Sequence, residues 1–156
     1  MRYWLIKSEP DVYSFADLER DRRTYWDGVR NYQARNTLRD DMKVGDLALY
    51  YHSNADPTGI VGYCRVVREG YPDFTQFDPH HHHYDPTALT TAPRWYMVDV
   101  EPVAAFASIL TLESLKADPA LDGMLLLRKG QRLSVMPVDE AHFRHVLKLA
   151  GLPSPG

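Results

Sequence analysis

The sequence contains a single cysteine, Cys64, and no long hydrophobic run. One cysteine excludes a disulfide framework and a zinc site built from thiolates, and its place within GYCRVV indicates a small core residue. The first ten residues, MRYWLIKSEP, carry an apolar run that is too short for a signal peptide or a membrane-spanning helix. These absences predict an intracellular protein without a membrane partner, in the cytoplasm or associated with a nucleus or nucleoid.

Signatures of the common enzyme classes are absent as well. The serines lie outside any GxSxG elbow, and the HxE…CxxC pattern of the zinc deaminases does not occur. The sequence has neither a P-loop nor a dinucleotide-binding glycine pattern. We therefore expect no cofactor and no catalysis, although the 21 Asp and Glu residues leave a general acid/base pair as an alternative.

The composition is that of one globular domain, with 156 residues, 44% of them hydrophobic and 25% charged. We assign residues 1–151 to this domain and residues 152–156 to a flexible tail. The net charge of −3 argues against a protein that coats duplex nucleic acid by bulk electrostatics. Residues 20–43 nevertheless carry seven Arg or Lys against four Asp, which is either a patch for a few phosphates or a solvated helix face.

The hydrophobic pattern predicts strands linked mostly by hairpins, with helices at the periphery. Strands are expected over 2–7, 46–53, 59–68, 94–106, 125–127 and 132–136, and helices over 14–20, 31–42, 111–117 and 139–150. The strands are few and contain several glycines, which allow them to curve. The fold class is therefore α+β, with a small mixed or antiparallel β-barrel or half-barrel of five to six strands.

The segment 69–93 differs from the rest, because a proline occurs at every seventh residue from Pro72 to Pro93. This spacing predicts extended coil, which is either functional or packed around the domain as a wrap. The segment contains the run His80–His83. Adjacent side chains of extended coil point to alternating sides, so at most two of these histidines are expected to face one metal. We predict no metal site, only a solvated loop that binds nickel or zinc adventitiously.

The segment 25–36, YWDGVRNYQARN, mixes large rings with planar hydrogen-bonding groups. A pocket for a nucleobase needs a π-face for stacking and a few polar groups that read the edge of the base. Trp26 supplies the ring, Gly28 lets the backbone approach a flat ligand, and Arg30 and Asn31 are planar donors. The alternative is that Trp26 is an ordinary core residue.

Three further segments end predicted strands in polar residues: KSEP at 7–10, HSN at 52–54 and LRKGQ at 127–131. Strand ends that meet at one mouth would form a cavity with polar lips, although each segment alone reads equally well as a surface turn. The Glu9 carboxylate could accept a hydrogen bond from an exocyclic amine such as N4 of cytosine. Since an unpaired buried carboxylate is costly, we expect Lys7 or Arg30 to pair with it.

Several long segments resemble the EVE domain family from Met1 to about Gly151. They are YWLIKSEPDVYSFADL, WDGVRNYQARNTLRDDMKVGDLALYYHSN, GIVGYCRVV, YDP, RWYMVDVEPV and LLLRKGQRLSVMPV. The resemblance implies a PUA-like fold related to the YTH readers of methylated adenine in RNA. It also implies a pocket with aromatic walls that accepts a flipped modified base, notably a modified cytosine in DNA.

The resemblance also implies which residues form the site. Ser8 and Glu9 would read the base edge, and Trp26 would be the first wall of the cage. The remaining candidates lie beside that wall, at the mouth or near the nucleotide phosphate: Val29, Arg30, Asn31, Ser53, Asn54, Arg128 and Gln131. Trp95 is either a further wall or a core residue.

The sequence therefore predicts a non-catalytic reader of one extruded modified base, with Arg30, Arg35 and Arg128 on the flanking phosphates. Two alternatives stay open: a hydrolase for a modified nucleotide with Glu9 as its base, and a binding protein for a small metabolite. The kind of modification and the choice between DNA and RNA are left open at this point. So are the oligomeric state and a nuclease or modification-system partner.

Overall fold

The structure is a computed structural model, and it describes residues 1–155. Six strands form one sheet: β1 (Tyr3–Ser8), β2 (Thr24–Tyr25), β3 (Leu47–His52), β4 (Gly59–Pro72), β5 (Tyr96–Thr111) and β6 (Val135–Pro137). The α-helices lie outside the sheet: α1 (Pro10–Tyr13), α2 (Phe15–Asp21), α3 (Tyr32–Asn36), α4 (Leu112–Lys116) and α5 (Glu140–Leu149). These elements confirm the predicted α+β class.

The sheet has the order β2-β5-β4-β3-β1-β6, with β1 parallel to β3 and the other pairs antiparallel. Register shifts along the β4–β5 pair mark bulges, which bend and twist long strands. The predicted barrel does not close, because the order is linear and ends in two short strands. β2 has two residues and β6 has three, and both pair on one side only. The fold is a PUA-like α+β fold with an open, mixed sheet.

Both faces of the sheet are buried, and β1 shows why. Tyr3 and Leu5 belong to one hydrophobic cluster, whereas Trp4 and Ile6 belong to the other. Because successive side chains of a strand point to opposite faces, apolar residues at all four positions require cover on both sides. Helix α5 covers the first face through Phe143, and α2 and α3 cover the second. The prediction of a central strand is confirmed.

Helix boundaries follow the caps that the sequence contains. Ser14 accepts a hydrogen bond from Asp17 N–H, and the Asp17 carboxylate accepts one from Ser14 N–H, which together form a capping box at the start of α2. The helix predicted over 31–42 is shorter: α3 passes at Thr37 into a π-helical turn. That turn closes with a bond from Met42 N–H to Thr37 O (3.0 Å).

Of two strands predicted near the end of the chain, the one over 125–127 is wrong and the one over 132–136 is right only in part. Residues Leu125–Leu127 form a single 3₁₀ turn. All three leucines pack on or within the same hydrophobic cluster, whereas successive side chains of a strand would point to opposite faces. The strand predicted over 132–136 is reduced to β6. At the end of the chain, Leu152 N–H donates to Leu147 O (2.9 Å), and Gly156 of the predicted tail 152–156 lies outside the described residues.

The segment predicted as coil over 69–93 packs as a wrap held by a buried glutamine. β4 continues to Pro72, and a 3₁₀ turn follows over Phe74–Phe77. Gln76 is fully buried and uses its whole amide. Its Nε2 donates to Asp73 O (2.7 Å) and Trp95 O (2.8 Å), and its Oε1 accepts from Arg94 N–H and Trp95 N–H (3.0 Å each). The Gln76 side chain therefore makes the backbone hydrogen bonds that a neighbouring strand would make, and so joins the start of the wrap to its end.

Candidate functional site

The polar ends of β1 and β3 lie side by side, as predicted. The two strands are parallel, so Ser8 lies opposite His52, and Ser53 N–H donates to Ser8 O (3.0 Å). Asn54, in the left-handed region with φ 49°, donates its side-chain amide to the Glu9 carboxylate. The expected pairing of Glu9 with Lys7 or Arg30 is therefore wrong.

A cavity of about 330 Å³ opens beside these strand ends. Its volume lies near the lower end of the range for small-molecule sites. We call it the Trp26 cavity. Its walls come from the end of β1, from α1, from β2 and the segment that follows it, from the histidine run and from the residue before β6: Lys7, Ser8, Val12, Tyr13, Thr24, Tyr25, Trp26, Asp27, Gly28, Val29, Arg30, His82, His83 and Ser134.

Trp26 is held rigidly at the wall of this cavity. Its side chain is 7% exposed and meets Tyr50 edge to face, with ring centroids 5.3 Å apart and an interplanar angle of 85°. Its backbone N–H donates to Val98 O (2.8 Å), and Tyr50 OH donates to Tyr13 O (2.8 Å). Trp26 is therefore both a core residue and a residue of the cavity wall, so the two alternatives that the sequence offered for it do not exclude each other.

Gly28 serves a protein contact. Its φ of +80° is rarely adopted by other residues, and a Cβ at this position would lie 2.3 Å from Cε1 of the His83 ring. Gly28 N–H also donates to the buried Asp73 carboxylate (2.8 Å). The glycine therefore allows the histidine run to pack against the segment that carries Trp26.

Arg30 is committed to protein acceptors. Its Nη1 lies 3.0 Å from Oδ2 of Asp73, which is fully buried, and its Nη2 donates to His83 O (2.7 Å). Burial alone would raise the pKa of Asp73, but hydrogen bonds from Thr75, Gly28 and Arg30 outweigh it and hold that pKa below its usual value. Arg30 lines the Trp26 cavity while it ties the wrap to the Trp26 segment, so its charge is largely neutralised.

Asn31 and Arg35 also act within the protein. Asn31 caps α3, because its Oδ1 accepts from Ala34 N–H (3.0 Å), and it faces solvent. Arg35 donates from Nη1 to Arg94 O (2.6 Å) and lies over the ring of Tyr32, 4.9 Å from its centroid. Neither residue lines the Trp26 cavity.

Trp95 anchors the wrap. It is 6% exposed and stacks on Tyr32 with centroids 5.0 Å apart. Its Nε1 donates to Asp85 (2.7 Å). Hydrogen bonds from Thr87 and from Trp95 lower the pKa of Asp85 to about 2. Trp95 does not line the cavity, so of the two alternatives, a further wall or a core residue, the structure supports the core residue.

A second concavity, of about 750 Å³, lies beside the first. We call it the basic groove, because four cations line it: Lys7, Lys116, Arg128 and Lys129. Within residues 1–155 no carboxylate lies within 4.0 Å of these four cations. Lys7 lines both concavities, and burial lowers the pKa of its ammonium group. The ammonium lies over the ring of Tyr51, 5.6 Å from its centroid.

The predicted site residues thus divide between two places. Those on the Trp26 cavity are Ser8, Trp26, Val29 and Arg30, and those on the basic groove are Ser53, Asn54, Arg128 and Gln131. Glu9 and Asn31 line neither.

Sequence reasoning missed Ser134, Asp27 and the two cavity histidines, His82 and His83. Asp27 lies inside the segment 25–36, so its position beside Trp26 was a usable signal. Ser134 reaches the cavity because Lys7 N–H donates to Ser134 O (2.9 Å). That contact joins residues far apart in the chain, and no local pattern predicts it.

The fold and the cavity define a PUA-like α+β domain with a small pocket beside a basic groove. The EVE domain model matches residues 2–149, so this chain belongs to the EVE domain family and the sequence resemblance is confirmed. Mouse thymocyte nuclear protein 1 is 44% identical over 165 residues, which cover 94% of this chain and 73% of that protein.

Solved structures agree with this assignment. Human THYN1 in complex with DNA containing 5-methylcytosine is 40% identical, with a TM-score of 0.90 over 98% of this chain and 99% of that one. A protein from Pseudomonas syringae is 44% identical, with a TM-score of 0.91 over 95% of this chain and 99% of that one. In residues 1–155, every helix is too short or too polar to cross a bilayer.

Proposed function

We propose that this protein is a non-catalytic reader of a modified base, with modified cytosine in DNA as the preferred ligand. The base would be extruded from its strand and bound in the Trp26 cavity. The observation that carries the proposal is the fixed indole wall of a small cavity that adjoins a groove with four cations. The complex of human THYN1 with DNA containing 5-methylcytosine supports the same ligand class.

The polar atoms of the cavity suit the edge of a base. The Ser8 and Ser134 hydroxyls can each donate or accept, whereas the Lys7 ammonium lies over Tyr51, which lines the groove. Cytosine offers a donor at N4, and the serine hydroxyls can accept from it. We assign edge recognition to these two serines instead of Glu9, which is paired with Asn54 outside the cavity.

The basic groove would hold the backbone on either side of the extruded nucleotide. Arg128 and Lys129 are exposed and free of carboxylate partners in the described chain, and Lys7 joins the groove to the cavity. Phosphate contacts of this kind position a nucleic acid without reading its sequence. The groove therefore replaces Arg30 and Arg35 in the phosphate role, and Arg128 keeps the role that the sequence suggested.

The hydrolase alternative loses its proposed base, because Glu9 lines neither concavity. An enzyme would show turnover of modified nucleotides that Glu9→Gln abolishes, and we expect no turnover in either protein. A nuclease or modification-system partner and an intracellular location stay predictions.

The test is a titration of the protein with short oligonucleotides that carry one cytosine or one adenine, plain, methylated or hydroxymethylated, in single and double strands. Tryptophan emission reports binding. We expect one modified cytosine to bind most tightly, and single strands or mismatched sites to bind better than paired ones because extrusion costs a few kcal/mol. Equal binding of all bases at low salt would overturn the reader proposal. No binding of any oligonucleotide would also overturn it and would favour the alternative that the cavity binds a small metabolite.

A further inference from the structure

The rings of three histidines, His81, His82 and His83, form one cluster at the mouth of the Trp26 cavity. Their centroids are 3.9 to 4.9 Å apart. One ligand atom from each lies within 4.8 Å of those from the other two. The expectation that at most two histidines could face one metal assumed extended coil and is wrong, because the run is folded into turns. His81 N–H donates to Asp78 O and Tyr84 N–H to His81 O (3.0 Å each).

A carboxylate from a distant part of the chain approaches two of the three histidines. Oδ2 of Asp27 lies 3.3 Å from Nδ1 of His83 and 4.0 Å from Nε2 of His81. In a tetrahedral zinc site with bonds of about 2.0–2.1 Å, two ligand atoms are about 3.3 Å apart. The Asp27–His83 pair already has this separation. The three histidine ligand atoms would have to approach one another by up to ~1.5 Å, and the Asp27–His81 pair by ~0.7 Å, through rotation of partly exposed rings.

The backbone around the cluster is held from several sides. Arg30 Nη2 donates to His83 O (2.7 Å), and the missing side chain of Gly28 makes room for the His83 ring. The Arg30 guanidinium is itself fixed by the buried Asp73. Loop positions that are fixed in this way lower the entropy that a ligand must remove on binding.

We propose that His81, His82, His83 and Asp27 bind a divalent transition metal, with Zn²⁺ as the best fit. Three imidazoles and one carboxylate are ligands that suit zinc and the neighbouring transition metals, whereas Mg²⁺ and Ca²⁺ prefer oxygen ligands. Four protein ligands fill a tetrahedral shell and leave no open position, which is the pattern of a structural site. The metal would clamp the wrap onto the segment that carries Trp26.

Coordination would rearrange one local hydrogen bond. Nδ1 of His81 accepts from His83 N–H (3.0 Å), which places the ring proton on Nε2. If Nε2 of His81 binds the metal, the proton of the neutral ring must move to Nδ1. Nδ1 can then no longer accept from His83 N–H, so that hydrogen bond is lost when the metal bond forms. Since His82 and His83 line the cavity, the exchange would change the shape of its mouth. This consequence for the ligand rests on the proposed function, whereas metal binding itself does not.

The first test measures Zn²⁺ affinity of the purified protein, without nucleic acid, by competition with a chromophoric chelator. We expect one equivalent to bind, and His83→Ala and Asp27→Asn to weaken binding by at least about tenfold each. His80→Ala is the matched control, because His80 belongs to the same run but lies outside the cluster. An equal loss in His80→Ala and His83→Ala would mean adventitious binding to a histidine run and would overturn the proposal. No loss in Asp27→Asn would overturn the four-ligand site.

The second test uses Co²⁺ in place of Zn²⁺, because the intensity of its visible absorption distinguishes tetrahedral from octahedral coordination. We expect the tetrahedral spectrum from the unaltered chain and its loss in Asp27→Asn, which is an isosteric change that keeps the loop packed. An octahedral spectrum would overturn the closed site. Trp26→Ala should lose base-dependent binding and keep Zn²⁺, so a failed reader proposal and a failed metal proposal give different results.

Discussion

The Trp26 cavity and the basic groove share Lys7 but are built in opposite ways. The cavity wall is rigid, because Trp26 packs on Tyr50 and Arg30 is held by Asp73. The groove is lined by long cationic side chains without ion-pair partners in the described chain, and Arg128 and Lys129 face solvent. Fixed walls select by shape, whereas mobile cations hold any phosphate. The comparison predicts that selectivity comes from the cavity and general affinity from the groove.

The largest effect is expected from Trp26→Ala. Loss of one stacking partner costs about 1–3 kcal/mol per base, so binding of the modified base should fall about 5- to 150-fold. The preference for that base over plain cytosine should disappear. Oligonucleotide titrations of both proteins check this prediction.

Because Trp26 also packs in the core, urea unfolding must show that the variant is folded under the assay conditions. Trp26→Phe is the conservative companion, and we expect it to keep part of the selectivity. If Trp26→Ala kept its selectivity, the modified base would bind outside the Trp26 cavity. The assignment of selectivity to the cavity and of general affinity to the groove would then be wrong.

Arg30→Ala tests whether the ion pair with Asp73 holds the cavity wall in place. The buried Asp73 would lose a charged partner, and the free energy of unfolding should fall by about 2–3 kcal/mol. The ion pair is partly exposed on the Arg30 side (24% of its side chain), so the cost should stay below that of a fully buried pair. Urea denaturation measures the change.

Arg39→Ala is the matched control, because its salt bridge with Asp40 is exposed on both sides. Its removal should change the unfolding free energy by less than about 1 kcal/mol. Equal effects of the two substitutions would contradict a rigid, anchored wall.

Substitutions in the groove should act on all sequences alike. Arg128→Ala and Lys129→Ala should each weaken binding severalfold for modified and plain oligonucleotides, and each should reduce the slope of log affinity against log salt by about 1. Lys148→Ala removes an exposed cation of α5 that does not line the groove, and should leave the slope unchanged. A change in base preference upon Arg128→Ala would mean that the groove also reads the base.

The smallest effect concerns the pH dependence of stability and His52, the last residue of β3. Phe15 N–H donates to Nε2 of His52 (3.2 Å), and burial lowers the pKa of the ring. The unfolded chain therefore binds this proton more readily, and the resulting stability is present above about pH 6.5 and lost as the pH falls through the folded pKa. Urea midpoints measured from pH 7 to pH 5 should fall less in His52→Gln than in the unaltered chain. Parallel curves would contradict this assignment.

Local sequence predicted much of the scaffold. Apolar residues at four successive positions of β1 required a strand covered on both faces. Ser14 and Asp17 marked the start of α2 through a capping box, and the spacing of Phe143, Val146 and Leu147 marked the inner face of α5. These features depend on neighbours within a few residues, so a pattern in one segment is sufficient to reveal them.

Site roles were harder to predict where the partner is distant in sequence. Arg30 was assigned to a phosphate, but its partner Asp73 lies 43 residues away and is fully buried. Glu9 was assigned to Lys7 or Arg30, but the end of β3 brings Asn54 to it. The residue types were correctly recognised as hydrogen-bonding groups, and their partners depended on packing.

By itself the sequence determined the fold class, the strands and helices with strong local patterns, and the family, and it singled out the segment around Trp26 that lines the cavity. Only the tertiary structure decided that the predicted site divides into a cavity and a groove, and that the histidine run turns toward Asp27. The physical reason is range. Periodicity and caps act over one or two turns of chain, whereas a cavity forms where segments far apart in sequence pack together.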